Sequence, residues 1–220
     1  MVFMLGFIEK RRKKIAVLKM MNELQLKYHI PLLNIQVYFK SKRFIISKSK
    51  SEKGCFSGYD NAIYLSKDLN EKELRKVFMH EYGHAIDLFV GLHHHDIQKN
   101  HYFYSDTHNI SKEVKEQLTR LFSKKYEKSQ VDYYLNKNEY LPELFAQHMM
   151  GEKLPKELLE ILDTLLKKFK FYHEQEKKGG TTYFDELNEK NFYDMLSVKK
   201  IIQNHPDKYE DMIQYIQKYQ

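Results

Sequence analysis

The stretch from residue 77 to residue 91 constrains the chain most, because it contains His-Glu-x-x-His inside a helical apolar pattern. On a helix, His80 and His84 lie one turn apart on the same face, so their imidazoles can bind one metal ion. Glu81 stands beside them and can act as a general base on a water molecule at that metal. The spacing therefore predicts a hydrolytic site that uses one Zn²⁺ per chain.

The neighbouring residues predict that this stretch is helical. Asn70 followed by Glu73 has the pattern of a capping box at a helix start, and Gly91 is suited to a helix end. Between them lies an apolar stripe with helical spacing, formed by Leu74, Val77, Phe78, Ala85 and Leu88. We therefore expect a helix that ends at Gly91 and carries the motif.

A third metal ligand has to come from elsewhere, because catalytic zinc takes three protein ligands and leaves a fourth position for water. A second helix is predicted to begin near Asn138, with Pro142 in its first turn, and to end at Gly151. Its Glu143 is the predicted third ligand. Glu139, four residues earlier on the same helix face, is the alternative.

Three short segments have strand patterns: residues 34–39, 43–47 and 61–66. The first two are expected to pair, and Gly54 and Gly58 predict a turn around Cys55. The third segment directly precedes the histidine helix, so we expect an edge strand whose backbone holds an extended peptide, with an ordinary core strand as the alternative.

Most of the remaining chain is predicted to be helical, which 8 glycines and 4 prolines favour. The fold class is therefore α+β, with a small sheet and a mainly helical carboxyl-terminal part. The expected division is a domain at 1–178 and a helical extension at 181–220, separated by Gly179 and Gly180. The further predicted helices cover residues 7–29, 111–128, 155–174, 185–203 and 206–219.

Composition limits the compartment and the partners. The single cysteine excludes an internal disulfide, and the apolar residues 1–8 precede a basic run, which reverses the order of a secretory signal. Eight residues are too few to cross a bilayer, which takes about 20. We expect a cytoplasmic protein without stable membrane insertion, although export without a recognisable signal would leave the same sequence. Nothing in the sequence indicates an oligomeric state.

The net charge of +7 comes almost entirely from lysine. Scattered lysines are typical of a solvated surface, whereas nucleic-acid recognition relies more on arginine. The expected partner is therefore a protein or peptide substrate, and nucleic acid is the less favoured alternative. The histidines at 93–95 are left out of the site, since consecutive histidines cannot all face one metal.

Two segments together resemble a known family. HEYGHAID at 80–87 and NEYLPELFAQHM at 138–149 are similar to the catalytic domain of anthrax lethal factor and its relatives, which are gluzincins of the zincin-like fold. The resemblance covers about residues 55–170. It implies that His80, His84 and Glu143 bind zinc and that Glu81 is the general base. It also implies that Tyr134, or the adjacent Tyr133, stabilises the oxyanion.

Two departures from that family pattern concern the second segment. Two extra residues separate Asn138 from Glu143, so the resemblance leaves open whether Glu139 or Glu143 faces the metal. Gln147 stands where an acidic residue usually occurs, so a ligand histidine would meet a neutral amide there.

The resemblance predicts a zinc metalloendopeptidase, and several alternatives remain beside it. A regulatory protease of the ImmA/IrrE type shares the glutamate helix, usually at shorter spacing. A SprT-like protease would take a third histidine from about residues 93–101. A catalytically inactive zincin-fold protein that contacts nucleic acid is the alternative from another functional class. A toxin or effector delivered to another cell would use the same chemistry as the protease.

Overall fold

The computed structural model describes residues 2–48, 51, 53–58, 60–93, 112–136 and 139–179. Its elements are α1 (Val2–Leu26), β1 (Gln36–Lys40), α2 (Lys42–Lys48), β2 (Gly54–Ser57), β3 (Ala62–Ser66), α3 (Glu71–His93), α4 (Lys112–Ser123), α5 (Lys128–Asn136), α6 (Tyr140–Met149) and α7 (Lys156–Gly179). The predicted α+β class is confirmed.

The sheet has three strands in the order β1-β3-β2, with β1 parallel and β2 antiparallel to β3. The prediction that residues 61–66 form an edge strand is wrong, because both neighbours pair with β3. The alternative of a core strand is correct, since every residue of β3 is buried. The edge strand beside the histidine helix is β2, which occupies the segment predicted as a turn.

The second predicted strand, residues 43–47, is helical and lies within α2. Ser41 begins this helix, since its Oγ accepts a hydrogen bond from the amide of Phe44 at 3.4 Å and its carbonyl oxygen accepts one from Ile45 at 3.2 Å. Serine favours this position because its hydroxyl satisfies an amide that has no partner within the helix. Ile45 is fully buried against Cys55, Ala62 and Tyr64 on one face of the sheet.

Helix α3 runs through the centre of the described fold, in contact with the strands β2 and β3 and with the helices α1, α6 and α7. The capping box is confirmed: the amide of Glu73 donates to Oδ1 of Asn70 at 3.0 Å, and the amide of Asn70 donates to Oε2 of Glu73 at 3.3 Å. The helix continues past Gly91 to His93, so the predicted end is wrong. Its fully buried side chains include Phe78, Met79, Tyr82, Ile86 and Phe89.

Helix α6 crosses α3 at very short range. A Cβ at Gly83 would stand 2.8 Å from Cα of Pro142, so only glycine allows this approach. Arg75 fixes α3 to two other helices, because its guanidinium donates to both oxygens of Glu23 on α1 and to the carbonyl oxygen of Met149 at the end of α6. Gly83 and Arg75 of α3 therefore position α6 against it.

The other helices differ from the sequence prediction mainly at their ends. The region 111–128 contains α4, a turn after Ser123 and the start of α5, rather than one helix. Helix α6 begins at Tyr140, and Gly151, at φ +79°, follows its end in the left-handed region that glycine favours. The predicted helices at 185–203 and 206–219, and the extension 181–220, lie outside the described residues.

Among the described residues, no helix combines the length and apolar character required to cross a membrane. The apolar face of α7 lies in the main core, with Leu158, Leu162 and Phe169 buried.

Candidate metal centre

His80 and His84 point their Nε2 atoms toward the same carboxylate oxygen. Oε2 of Glu139 lies 3.1 Å from Nε2 of His80 and 2.9 Å from Nε2 of His84. The two imidazole rings are 5.0 Å apart, centroid to centroid, and nearly perpendicular. One ligand atom from each of the three residues lies within 4.8 Å of the other two. The structure therefore brings His80, His84 and Glu139 together.

This donor set fits a zinc ion. Two ligands bound to zinc at about 2.0–2.1 Å with a tetrahedral angle stand about 3.3 Å apart. The nitrogen–oxygen distances of 2.9 and 3.1 Å are close to that value. Two imidazoles and one carboxylate are also the protein ligands found in gluzincin-type sites. His80, His84 and Glu139 could accordingly hold one zinc ion.

Glu143, which the sequence favours as third ligand, lies on another side of the His80 ring. Its Oε2 is 3.4 Å from Nδ1 of His80, whereas the nitrogen that faces His84 and Glu139 is Nε2. The physical reason is the start of α6 at Tyr140: Glu139 precedes the helix and faces the two histidines, and Glu143 is buried one turn further in. The structure therefore brings Glu139, rather than Glu143, to Nε2 of both histidines, and Glu143 contacts the other nitrogen of the His80 ring.

The electrostatics of the centre follow from burial and pairing. Burial disfavours a charge on His80, but the hydrogen bonds to Glu139 and Glu143 outweigh it and raise the pKa of His80 to about 10. Burial also opposes ionisation of Glu143, yet His80 and Lys76 lower its pKa to about 2. The histidines likewise hold the pKa of Glu139 well below its usual range, against the effect of its burial. Both carboxylates are therefore ionised at neutral pH, whereas His80 carries a proton that would have to leave before the ring could bind a metal ion.

Glu81 faces the edge strand β2. Its Oε2 accepts a hydrogen bond from the amide of Phe56 at 2.8 Å, and burial raises its pKa. Gly54 allows this contact, since a Cβ there would stand 2.5 Å from Cγ1 of Val77 and 3.2 Å from Oε1 of Glu81. The predicted general base is thus held at the junction of α3 and β2, with an elevated proton affinity.

Of the two tyrosines predicted for the oxyanion, Tyr133 lies closer to the centre. Its hydroxyl donates to Oε1 of Glu139 at 3.1 Å, and its side chain is half exposed. The ring of Tyr134 instead packs against Tyr126 and Phe122, with centroid distances of 4.8 and 5.2 Å. Tyr133 is therefore the better placed donor.

Two residues at the site were missed in the sequence. Lys76, one turn before His80, places its Nζ 3.2 Å from Oε1 of Glu143, and Tyr126 donates a hydrogen bond to the same oxygen. Lys76 could have been found from its position on the histidine face of the helix. Tyr126 lies in the turn between α4 and α5, which the sequence pattern did not separate from a continuous helix.

The centre opens into a cleft of about 640 Å³. Its walls come from α3, from β2 and from the segment that contains α5 and the start of α6. Charged side chains of both signs line it, including Lys53, Glu73 and Lys76, together with the neutral Gln130 and Tyr133. The histidines 94, 95, 101 and 108 lie outside the described residues, as does the side chain of His93.

No protein-family model matches the chain, and neither a curated protein nor a solved structure is significantly similar to it.

Proposed function

We propose that this chain is a zinc-dependent endopeptidase with a zincin-like fold. The observation that carries the proposal is the convergence of His80, His84 and Glu139 within 4.8 Å, next to Glu81 and an open cleft. The mixed sheet with an antiparallel edge strand beside the histidine helix supports the same assignment. Lethal factor-like gluzincins are the group that the sequence resembles, and Glu139 takes the ligand role in this proposal.

Each residue of the centre has a distinct role in peptide hydrolysis. His80, His84 and Glu139 would hold zinc, which when bound lowers the pKa of water to about 7 and polarises a carbonyl group. Glu81 takes the proton of the attacking water and passes it to the leaving amine, a transfer that its raised pKa assists. The phenol of Tyr133 donates a hydrogen bond to the oxyanion that develops on the scissile carbonyl.

The edge of β2 provides a place for the substrate backbone. Gly54 and Phe56 line the cleft, and among the described strands β2 pairs with β3 alone. An extended peptide that pairs with the outer edge, where the amide of Phe56 donates to Glu81, would run past the zinc ligands. A protein or peptide is therefore the proposed substrate class.

The test is hydrolysis of a mixed peptide library, read by mass spectrometry, with purified zinc-loaded protein. We expect cleavage by the wild type that a chelator abolishes. Glu81→Gln should keep zinc and the fold but cleave at least about 100-fold more slowly, because the proton acceptor is lost. The matched control is Glu157→Gln, the same change at an exposed site on α7. A Glu81→Gln variant as active as the wild type would contradict the mechanism.

A further inference from the structure

The carboxylate of Glu143 is nearly inaccessible to solvent, and its two oxygens have different partners. The side chain is only 2% exposed. Oε2 faces Nδ1 of His80 at 3.4 Å, whereas Oε1 is shared by three donors. These donors are Nζ of Lys76 at 3.2 Å, the hydroxyl of Tyr126, and Nε2 of Gln147 at 3.0 Å.

The donors around Oε1 also support one another. Nζ of Lys76 donates to the hydroxyl of Tyr126 at 2.9 Å and lies over the same ring, 5.4 Å from its centroid. Nζ of Lys125 donates to Oε1 of Gln147 at 3.0 Å, which directs the amide nitrogen of that residue toward Glu143. Lys125 and Tyr126 are adjacent in the turn between α4 and α5. That turn therefore supplies two of the groups that fix Glu143.

We infer that Lys76 and Tyr126 are positioning residues for the metal centre, an inference that rests on the zinc site proposed above. By occupying Oε1 they leave Oε2 toward Nδ1 of His80, so that Nε2 of the same ring faces the other two ligands. The partner of a ligand histidine fixes the orientation of its ring, and removal of such partners weakens metal binding by about 10–100-fold. Both residues contact Oε1 of Glu143 rather than the atoms of the ligands that would face the metal.

The charge of Lys76, taken alone, would have the opposite effect on metal binding. Lys76 is a cation close to a site for a cation, so its field alone opposes metal binding. If field were its only influence, removing the charge would tighten binding. A positioning role requires that removing it weakens binding. Whether Lys76→Met tightens or weakens metal binding therefore distinguishes a purely electrostatic influence from a positioning role.

The experiment measures the dissociation constant of Co²⁺ by competition with a chelator, together with the visible absorption of the bound ion. The variants are Lys76→Met, Lys76→Arg and Tyr126→Phe. The matched control is Lys72→Met, which removes the same charge from an exposed position one turn earlier on α3. Far-ultraviolet circular dichroism of the metal-free proteins checks that each variant folds.

We expect Lys76→Met and Tyr126→Phe to weaken Co²⁺ binding about 10-fold or more and to change the cobalt spectrum. Lys76→Arg should restore most of the affinity, and Lys72→Met should bind as well as the wild type or more tightly. Lys76→Met that binds as tightly as Lys72→Met overturns the inference. If Lys76→Met does not fold, Tyr126→Phe takes its place, and a Co²⁺ affinity equal to that of Lys72→Met then overturns the inference. A wild type that binds no Co²⁺ overturns the proposed zinc site itself. That result comes from the wild-type sample alone, so it is distinguished from a failure of the positioning inference.

Discussion

Gly83 on α3 lies directly against Pro142 on α6, so that a Cβ at position 83 would stand 2.8 Å from Cα of Pro142 and 3.3 Å from its carbonyl oxygen. Backbone atoms cannot yield as a flexible side chain can. The distance between the two helices, and with it the distance from the two histidines to Glu139, therefore depends on the absence of a side chain at this position.

Gly83→Ala is expected to destabilise the fold by about 1–3 kcal/mol, because overpacking forces α6 away from α3. It should also weaken zinc binding, since Glu139 and Glu143 move with α6. The control is Gly151→Ala: that residue has φ +79° but open space around its Cα, so backbone strain costs about 1 kcal/mol without moving the ligands. Chemical denaturation and zinc titration measure both effects. Unchanged zinc affinity in Gly83→Ala would show that the helix spacing does not control the site.

Tyr133→Phe should lower kcat of the zinc-loaded protein by about 100-fold, because an oxyanion donor contributes mainly in the transition state. It should also weaken zinc binding, since the lost hydroxyl donates to Oε1 of Glu139, so zinc is added in excess for the comparison. Tyr134→Phe removes the same atom from the neighbouring residue, whose hydroxyl is hydrogen-bonded to Tyr126 instead of Glu139, and should lower kcat of the zinc-loaded protein far less. Steady-state kinetics on one cleaved peptide compares the pair. A larger loss in Tyr134→Phe would return the oxyanion role to Tyr134, as the family resemblance implies.

The salt bridge between Glu23 and Arg75 gives a stability contribution that depends on pH. The hydrogen bond from Arg75 lowers the pKa of Glu23 below its ordinary value of 4.5, more than partial burial raises it. A carboxyl with a depressed folded pKa stabilises the fold above the unfolded pKa, and this contribution is lost as pH falls through the folded pKa.

Glu23→Gln should therefore cost on the order of 1 kcal/mol of unfolding free energy at pH 7 and less at pH 3. Urea denaturation of both proteins at the two pH values gives the difference. The same loss at both pH values would mean that the carboxylate charge does not contribute.

Local signals made α3 and its capping box predictable from the sequence. The motif spacing, Asn70, Glu73 and the apolar stripe all act within one or two turns, and the structure confirms the helix that they predict. The order of strands is not local. Residues 61–66 carry the same pattern whether they form an edge or a central strand, and only the pairing with both β1 and β2 decides.

The choice between Glu139 and Glu143 depends on contacts between elements distant in sequence. Both residues fit one face of a helix at a spacing of four. What separates them is where α6 begins and how closely Gly83 lets it approach α3, and neither follows from the periodicity. Tyr126 was missed for a related reason, because the turn that carries it interrupts a helical pattern without glycine or proline.

The most direct test of the account is the zinc content of purified protein, measured by elemental analysis after dialysis, in the wild type, Glu139→Gln and Glu143→Gln. The proposed site predicts about one zinc per chain in the wild type and none in Glu139→Gln. Glu143→Gln should still bind zinc in a titration, with an affinity about 10–100-fold weaker. Zinc retained by Glu139→Gln but lost from Glu143→Gln would contradict the ligand assignment, and a wild type unable to bind zinc would contradict the proposed function.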